Sequence, residues 1–347
     1  MQESPFKILT DQIQQVFNPK LPITNLVFKG GGVRGVAYLG ALQVLDEHDL
    51  LNDLKRVGGT SAGSLTALLL SMNLSVSEIE QILSDIDFPK MLQDVNQKDE
   101  QGLVKNFMSD AASVQRFRAH FGWHSNDNMH NLIEQIVARG CQGNSRATFD
   151  DFRKLGHRSL SIIASNVSRY RREIFSIRTT PHVAVADAAL LSSSIPIFFE
   201  AVRFDGKNIG QGDYYVDGGL YDNYPIHIFD YPEYVNHKRN FRDGTNHETI
   251  GFFLYPNREN KDVAHLPNRW NEFIELIFSN FYFSHQVKAI ITDKVNKNRT
   301  IRINDCGVKA TDFKITAGSD KYEQLLQSGR DATRQFLLEK GYIKPES

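Results

Sequence analysis

Apolar and polar positions along the first third of this chain alternate between two rhythms. Asn25 to Lys29 reads Asn-Leu-Val-Phe-Lys, a short β-prone run, and Val36 to Asp49 then carries apolar residues at Val36, Leu39, Leu42 and Leu45, the spacing of one helical face. The order repeats at once: Leu54 to Val57 can end a strand, and Ala62 to Met72 is the alanine- and leucine-rich run of a buried helix. Strand–helix–strand–helix from Asn25 to Met72 predicts right-handed βαβ units and a mainly parallel sheet, an α/β fold with its site at the carboxyl ends of the strands.

Beyond Met72 the rhythm changes. About residues 73–146 are charged and mostly helical in pattern with weak strand signals, and are expected to form a helical cap over the site. Leu160 to Ser165 and Glu173 to Ile177 read as paired strands joined by a tip that contains Arg169-Tyr170-Arg171-Arg172; a solvated turn is favoured over a contact with anionic headgroups. Pro256 to Pro267 reads as a loop. Trp270 to Phe283 places Phe273, Ile274, Ile277, Phe278 and Phe281 on a broad apolar helical face, expected to pack in the core because it lacks the lysine-rich polar face of a membrane-surface helix. Tyr322 to Leu338 predicts a terminal helix packed through Tyr322, Leu325, Leu326 and Phe336.

Three glycine-bearing motifs sit where these elements join. Gly59-Thr60-Ser61-Ala62-Gly63 fits GxSxG, in which small flanking residues let a strand bend sharply into a helix and leave the serine hydroxyl at the bend. Ser61 is thus a candidate nucleophile at a helix N-terminus, where free amides and the macrodipole favour developing negative charge. Gly30-Gly31-Gly32-Val33-Arg34-Gly35 also follows a strand and precedes a helix; its first three amides could converge on a phosphate or on the oxyanion of a tetrahedral intermediate. Taken alone, that loop also satisfies a nucleotide-binding pattern. In Tyr214-Tyr215-Val216-Asp217-Gly218-Gly219 an acidic residue ends a β-prone run, and a desolvated carboxylate there could take the serine proton. Asp213 and Asp222 are nearby competitors without the two following glycines.

GGGVRG, GTSAG and DGG, in this order and spacing, resemble the patatin-like phospholipase family, as does Ala186 to Pro196 as the helix-to-loop segment before the acidic motif. The resemblance spans about Leu26 to Tyr224. It implies a three-layer α/β/α fold and a Ser-Asp dyad, with Ser61 as nucleophile, Asp217 as base and the Gly30, Gly31 and Gly32 amides as oxyanion hole. Arg34 matches a basic position inside the loop, supporting it electrostatically or holding its shape. The implied substrates are phospholipids or lysophospholipids at a membrane surface, with no metal or cofactor and with room for a protein or small-molecule activator. The expected organisation is an N-terminal extension over 1–24, a catalytic core over 25–230 and a C-terminal part of the same domain over 231–347.

Rival readings remain. A Ser-Asp-His triad of α/β-hydrolase type would use His227 or His285 after Asp217, but only sixty residues precede Ser61, too few for the strands that fold places before its nucleophile. His120, His124 and His130 offer a zinc cluster only on paper, since Phe121-Gly122-Trp123 is a poor helix interior and the glutamate of HExxH is missing. A catalytically weak lipid-binding module and a nucleotide-binding protein using Gly30 to Gly35 are the alternatives of other classes.

Composition changes the picture little. In 347 residues with 41% hydrophobic content there is enough apolar material for a sizeable core, and a net charge of −1 argues against nucleic acid as partner. Two cysteines, Cys141 and Cys306, make no disulfide framework. The acidic and glutamine-bearing start is not a secretory signal, so a cytoplasmic protein peripheral to membranes is expected, with export by a specialised route also compatible.

Overall fold

A computed structural model of the chain describes residues 21–92, 111–256 and 293–345. Leu26, Val27 and Phe28 are all fully buried, which makes β1 (Asn25–Phe28) a central strand covered on both faces. From it the chain passes through a tight 3-10 turn, Gly32–Gly35, into α1 (Val36–Glu47), then β2 (Arg56–Thr60) and α2 (Ala62–Ser71). This is the predicted βαβα order, with β2 beginning two residues later than expected.

The middle segment holds α3 (Val76–Ser84), α4 (Phe88–Met91), α5 (Ala111–His120), β3 (Gly122–His124) and α6 (Asp127–Gly140). Ser75 and Glu78 close a reciprocal capping box at the start of α3, satisfying amides that would otherwise face solvent unpaired. Next come α7 (Phe149–Lys154), β4 (Ser159–Asn166), β5 (Arg171–Ser176), α8 (Val185–Ser193), β6 (Ile197–Phe199), β7 (Val202–Phe204), β8 (Asp213–Asp217) and α9 (Gly219–Asp222). The chain closes with β9 (Phe241–Arg242), β10 (Thr245–Asn246), β11 (Thr249–Tyr255), α10 (Lys294–Asn298), β12 (Thr300–Asn304) and α11 (Asp320–Glu339).

The main sheet runs β12-β11-β1-β2-β4-β8-β7, with β5 paired to β4 off that path. β12, β11, β1, β2 and β4 are parallel; β5 and β8 run antiparallel to β4, and β7 pairs antiparallel with β8, which returns it to the common direction. The sheet is therefore mixed and mainly parallel in an α/β fold, as the alternating rhythm predicts. Residues 231–347 supply β11 and β12, so the C-terminal part extends the same sheet beside β1. The terminal helix α11 lies directly on α1: a Cβ on Gly329 would fall 1.9 Å from Ala37 O and one on Gly40 2.0 Å from Leu326 O. Only glycine lets the two backbones meet there, and the contact fixes the helix that leaves the glycine loop.

The segment expected to cap the site is helical but also contributes β3, which pairs in parallel with β6. α5 stops at His120 because Phe121 takes a left-handed φ of 63° and Gly122 opens β3. The Trp270 to Phe283 helix and His285 lie outside the described residues, as does most of the Pro256 to Pro267 loop.

Candidate active site

Three strands determine where the motif residues meet. β4 pairs with β2 up to Ile163↔Thr60, and with β8 from Ala164↔Asp217 to Asn166↔Tyr215. β5 pairs with β4 alongside both, from Ser161 to Asn166, and so occupies the opposite edge. β2 and β8 must then share one edge of β4 and approach each other end to end. Neighbouring β4 residues, Ile163 and Ala164, hold Thr60 and Asp217, and this brings the distant Ser61 and Asp217 together. Gly218 sits in the seam: a Cβ there would fall 2.1 Å from Ile163 O and 2.9 Å from Thr60 Cγ2.

Ser61 follows β2 at the sharp bend into α2, with φ 55° and ψ −130°. Positive φ in a residue with a Cβ costs energy and persists only where surrounding contacts enforce it. Here they do. The Ser61 N–H donates to Ser192 Oγ at 2.9 Å, and Ser192 Oγ in turn donates to Ile163 O at 2.6 Å. The small flanking residues are needed for space, since a Cβ on Gly59 would lie 2.5 Å from Gly63 O and one on Gly63 2.4 Å from Phe28 O. Ser61 is 5% exposed and Asp217 2%.

Asp217 is held by its backbone and half-satisfied at its carboxyl. Its N–H donates to Ser194 O at 2.8 Å, and the Gly218 N–H to Ser192 O at 3.1 Å. Oδ1 accepts from the Gly219 N–H at 2.7 Å, whereas Oδ2 is buried with no hydrogen-bond partner. Burial pushes the carboxyl up to about 7; the Ser61 hydroxyl, the Gly219 amide and the charge of Lys29 pull the other way. The Ser61 hydroxyl therefore lowers the carboxyl pKa as a side-chain hydrogen-bonding neighbour. This is a carboxylate that can exchange a proton near neutral pH.

The glycine loop lies against the serine. A Cβ on Gly30 would fall 3.2 Å from Ser61 Cβ and 2.2 Å from Asn223 Oδ1, and Gly32 has a left-handed φ of 57°. One expectation is narrowed: the Gly30 N–H donates to Asn223 O at 2.9 Å and is not free to receive an oxyanion. The amides of Gly31 and Gly32 have no backbone acceptor among the described residues. Gly35 closes the 3-10 turn near Ala62. Arg34 braces the loop, donating from Nε to Gly31 O at 2.9 Å and pairing with Asp305 Oδ2 at 2.9 Å.

Lys29, read from the sequence only as the end of a strand, is the unexpected member. It is 4% exposed, its Nζ donates to Gly30 O at 3.2 Å, and the ammonium stands 5.2 Å from the Phe253 ring centre. Burial, and then the charge of Arg34, bring its pKa down to about 7 against the opposing pull of Asp305 and Asp217. A lysine directly after the buried apolar run Leu26-Val27-Phe28 was the available signal.

The remaining candidates are placed elsewhere. Asp213 accepts from Asn166 and Arg169, and Asp222 from Arg172, so both competing carboxylates are bonded to cations or amides. His227 contacts Asp222 and Arg172 rather than Asp217. Arg169 at the hairpin tip and Arg171 and Arg172 at the start of β5 are tied to Asp213, Glu173 and Asp222, while Tyr170 is 84% exposed. His120 and His124 do not share a helix; the His124 ring faces Leu92 O at 3.1 Å and His130 faces Asp187 at 3.0 Å. Among the described residues no group of histidine, cysteine and acidic side chains is arranged to hold a metal, and no helix is long and apolar enough to cross a membrane. Both cysteines are free. A polar cavity of about 470 Å³ lined by Gln43, Glu80, Arg330 and Arg334 lies between α1, α3 and α11 and includes none of the motif residues.

Comparison with known proteins bears on the family and the fold. A family model described as patatin-like phospholipase matches residues 26–230. The uncharacterized protein YqhO of Bacillus subtilis is 27% identical over 322 residues, 91% of this chain and 98% of its own length. A probable lipid hydrolase, 463L of invertebrate iridescent virus 6, is 29% identical over 203 residues, covering 58% of this chain and 62% of the viral protein. Among solved structures, VipD of Legionella pneumophila shares the fold at a TM-score of 0.55 with 18% identity, over 92% of this chain and 67% of VipD.

Proposed function

This chain belongs to the patatin-like phospholipase family, and we propose that it is a serine acyl hydrolase that cleaves fatty-acyl esters of phospholipids or lysophospholipids. One observation carries the reading: Asp217, with a buried and unpartnered Oδ2, is delivered to the nucleophile bend of Ser61 by adjacent residues of β4.

In the proposed reaction Ser61 Oγ attacks the ester carbonyl and its proton passes to Asp217 Oδ2. The negative charge that develops on the carbonyl oxygen is met by the Gly31 and Gly32 amides. Collapse of the tetrahedral intermediate breaks the ester bond, and the departing alcohol takes the proton from Asp217. Water then attacks the acyl-serine, gives a proton to Asp217, and the fatty acid leaves as Ser61 recovers its hydroxyl hydrogen. Losing one oxyanion donor from a site of this kind typically costs about 3 kcal/mol of transition-state stabilisation. No step needs a metal or an organic cofactor to supply electrons or a nucleophile.

Free fatty acid release from mixed phospholipid vesicles tests the proposal. Release by the wild type that disappears in folded Ser61→Ala and Asp217→Asn supports it, and the lysolipid products identify the headgroup and the ester attacked. Undiminished release by Ser61→Ala overturns it.

A further inference from the structure

The glycine loop carries a pattern of charge that its motif does not announce. In a trans peptide the carbonyl of one residue and the N–H of the next belong to one planar unit and point in opposite directions. The Gly31 N–H shares its unit with the Gly30 carbonyl, which accepts from Lys29 Nζ at 3.2 Å. The Gly32 N–H shares its unit with the Gly31 carbonyl, which accepts from Arg34 Nε at 2.9 Å. Each amide left for an oxyanion therefore has a cationic donor on the far end of its own peptide.

We infer that Lys29 and Arg34 polarise the two oxyanion-binding peptides from behind, which makes Lys29 a positioning residue of the reaction. The inference rests on the hydrolase reading and extends it. A cation at a peptide oxygen draws electron density toward that oxygen and strengthens the opposite N–H as a donor, most of all where water is excluded. Arg34 is anchored for this by Asp305. Lys29 is anchored by burial, with the Tyr38 hydroxyl donating to its backbone carbonyl at 2.5 Å. The groups facing the ammonium are Arg34, Asp305, Asp217 and the Phe253 ring.

The same placement ties the cation to the base. Lys29 and Asp217 attract each other, so the charged lysine favours ionised Asp217. Activity needs Asp217 without its proton and Lys29 with it. It is lost on the acid side as Asp217 protonates and on the alkaline side as Lys29 deprotonates, which gives a bell-shaped profile.

Steady-state hydrolysis of a short-chain, water-soluble p-nitrophenyl ester, measured from acid to alkaline pH, tests this with Lys29→Met and Lys29→Gln. The expected result is a kcat lower by about tenfold with KM nearly unchanged, because the donors are weakened and not removed. The acid limb moves to higher pH and the alkaline limb assigned to Lys29 disappears. Thermal stability of Lys29→Met is equal to or above wild type, since the desolvation cost of a buried ammonium is removed by an apolar chain; a merely structural lysine predicts the reverse. A folded variant with wild-type kcat and pH profile overturns the inference, as does failure of both variants to fold. Absence of Ser61-dependent turnover in the wild type is a different result and removes the hydrolase reading itself.

Discussion

Asp217 and Asp187 are both buried aspartates within this sheet-and-helix core, yet their surroundings differ in kind. Asp187, on α8, is fully buried and receives both Arg146 terminal nitrogens at 2.5 Å as well as His130 Nε2 at 3.0 Å. Burial alone would push its carboxyl up, but His130 and Arg146 outweigh it and hold the pKa below the ordinary value. Asp217 meets the same desolvation with one amide on Oδ1, nothing bonded to Oδ2, and a pKa raised to about 7. A carboxylate whose partners are complete is committed to holding α6 and its flank onto α8. One left incomplete beside a strained serine is available for proton transfer, and the protein forgoes some stability to keep it so.

The largest expected effect follows from removing the incomplete carboxylate. Asp217→Asn loses at least about a thousandfold in kcat, as removal of a base from a coupled catalytic pair does, while its melting temperature at neutral pH is no lower than that of the wild type. The same change at Asp187 should invert the outcome. Asp187→Ala leaves Arg146 and His130 with Glu134 as their acidic neighbour and destabilises the fold by about 3 kcal/mol, toward the low end for a broken buried pair because Arg146 is half exposed. Denaturant titration reads that loss, and the fraction that remains folded keeps its turnover.

Acidity separates the two sites in the same way. For Asp217 the folded pKa is above the unfolded value, so the folded state holds the proton more tightly and stability declines as pH rises from about 4 toward about 7. For Asp187 the folded pKa is depressed, so its contribution is present above the unfolded value of 3.8 and is lost as pH falls through the folded one. Thermal melts of Asp217→Asn and Asp187→Asn across pH check the opposite signs.

A smaller effect is expected one hydrogen bond away from Ser61. Ser192→Ala removes the acceptor of the Ser61 N–H and the donor to Ile163 O, relaxing the strained bend. Its kcat on a soluble ester should fall by about tenfold, with a stability loss of about 1 kcal/mol for the buried hydroxyl. Unchanged kcat would mean that α2 and the glycine loop fix Ser61 without it.

Much of this arrangement was legible in the chain itself because local physics dictated it. Ala62 to Met72 reads as a buried helix and forms one ending at Ser71, and the glycines around Ser61 announce a bend that has no space for a Cβ. The paired strands within residues 160–177 were equally visible, although the second begins at Arg171, two residues earlier than the sequence suggests. The meeting of Ser61 with Asp217 was not, because it depends on β8 entering antiparallel on the edge that β2 vacates, a long-range pairing without a local signature. Nor could spacing show that the Gly30 amide is spent on Asn223 O, or that the polar end of β1 turns inward beneath the loop.

The most direct test of the central claim, that Asp217 is the base for Ser61, is the rate at which an alkyl fluorophosphonate labels the protein as pH is varied, with the adduct mapped by mass spectrometry. The account predicts a single adduct on Ser61 whose formation rate climbs along the acid limb as Asp217, raised to about 7, loses its proton, and is abolished in folded Asp217→Asn. Labelling of Ser61 that ignores pH and persists in Asp217→Asn, or an adduct on another residue, would contradict it.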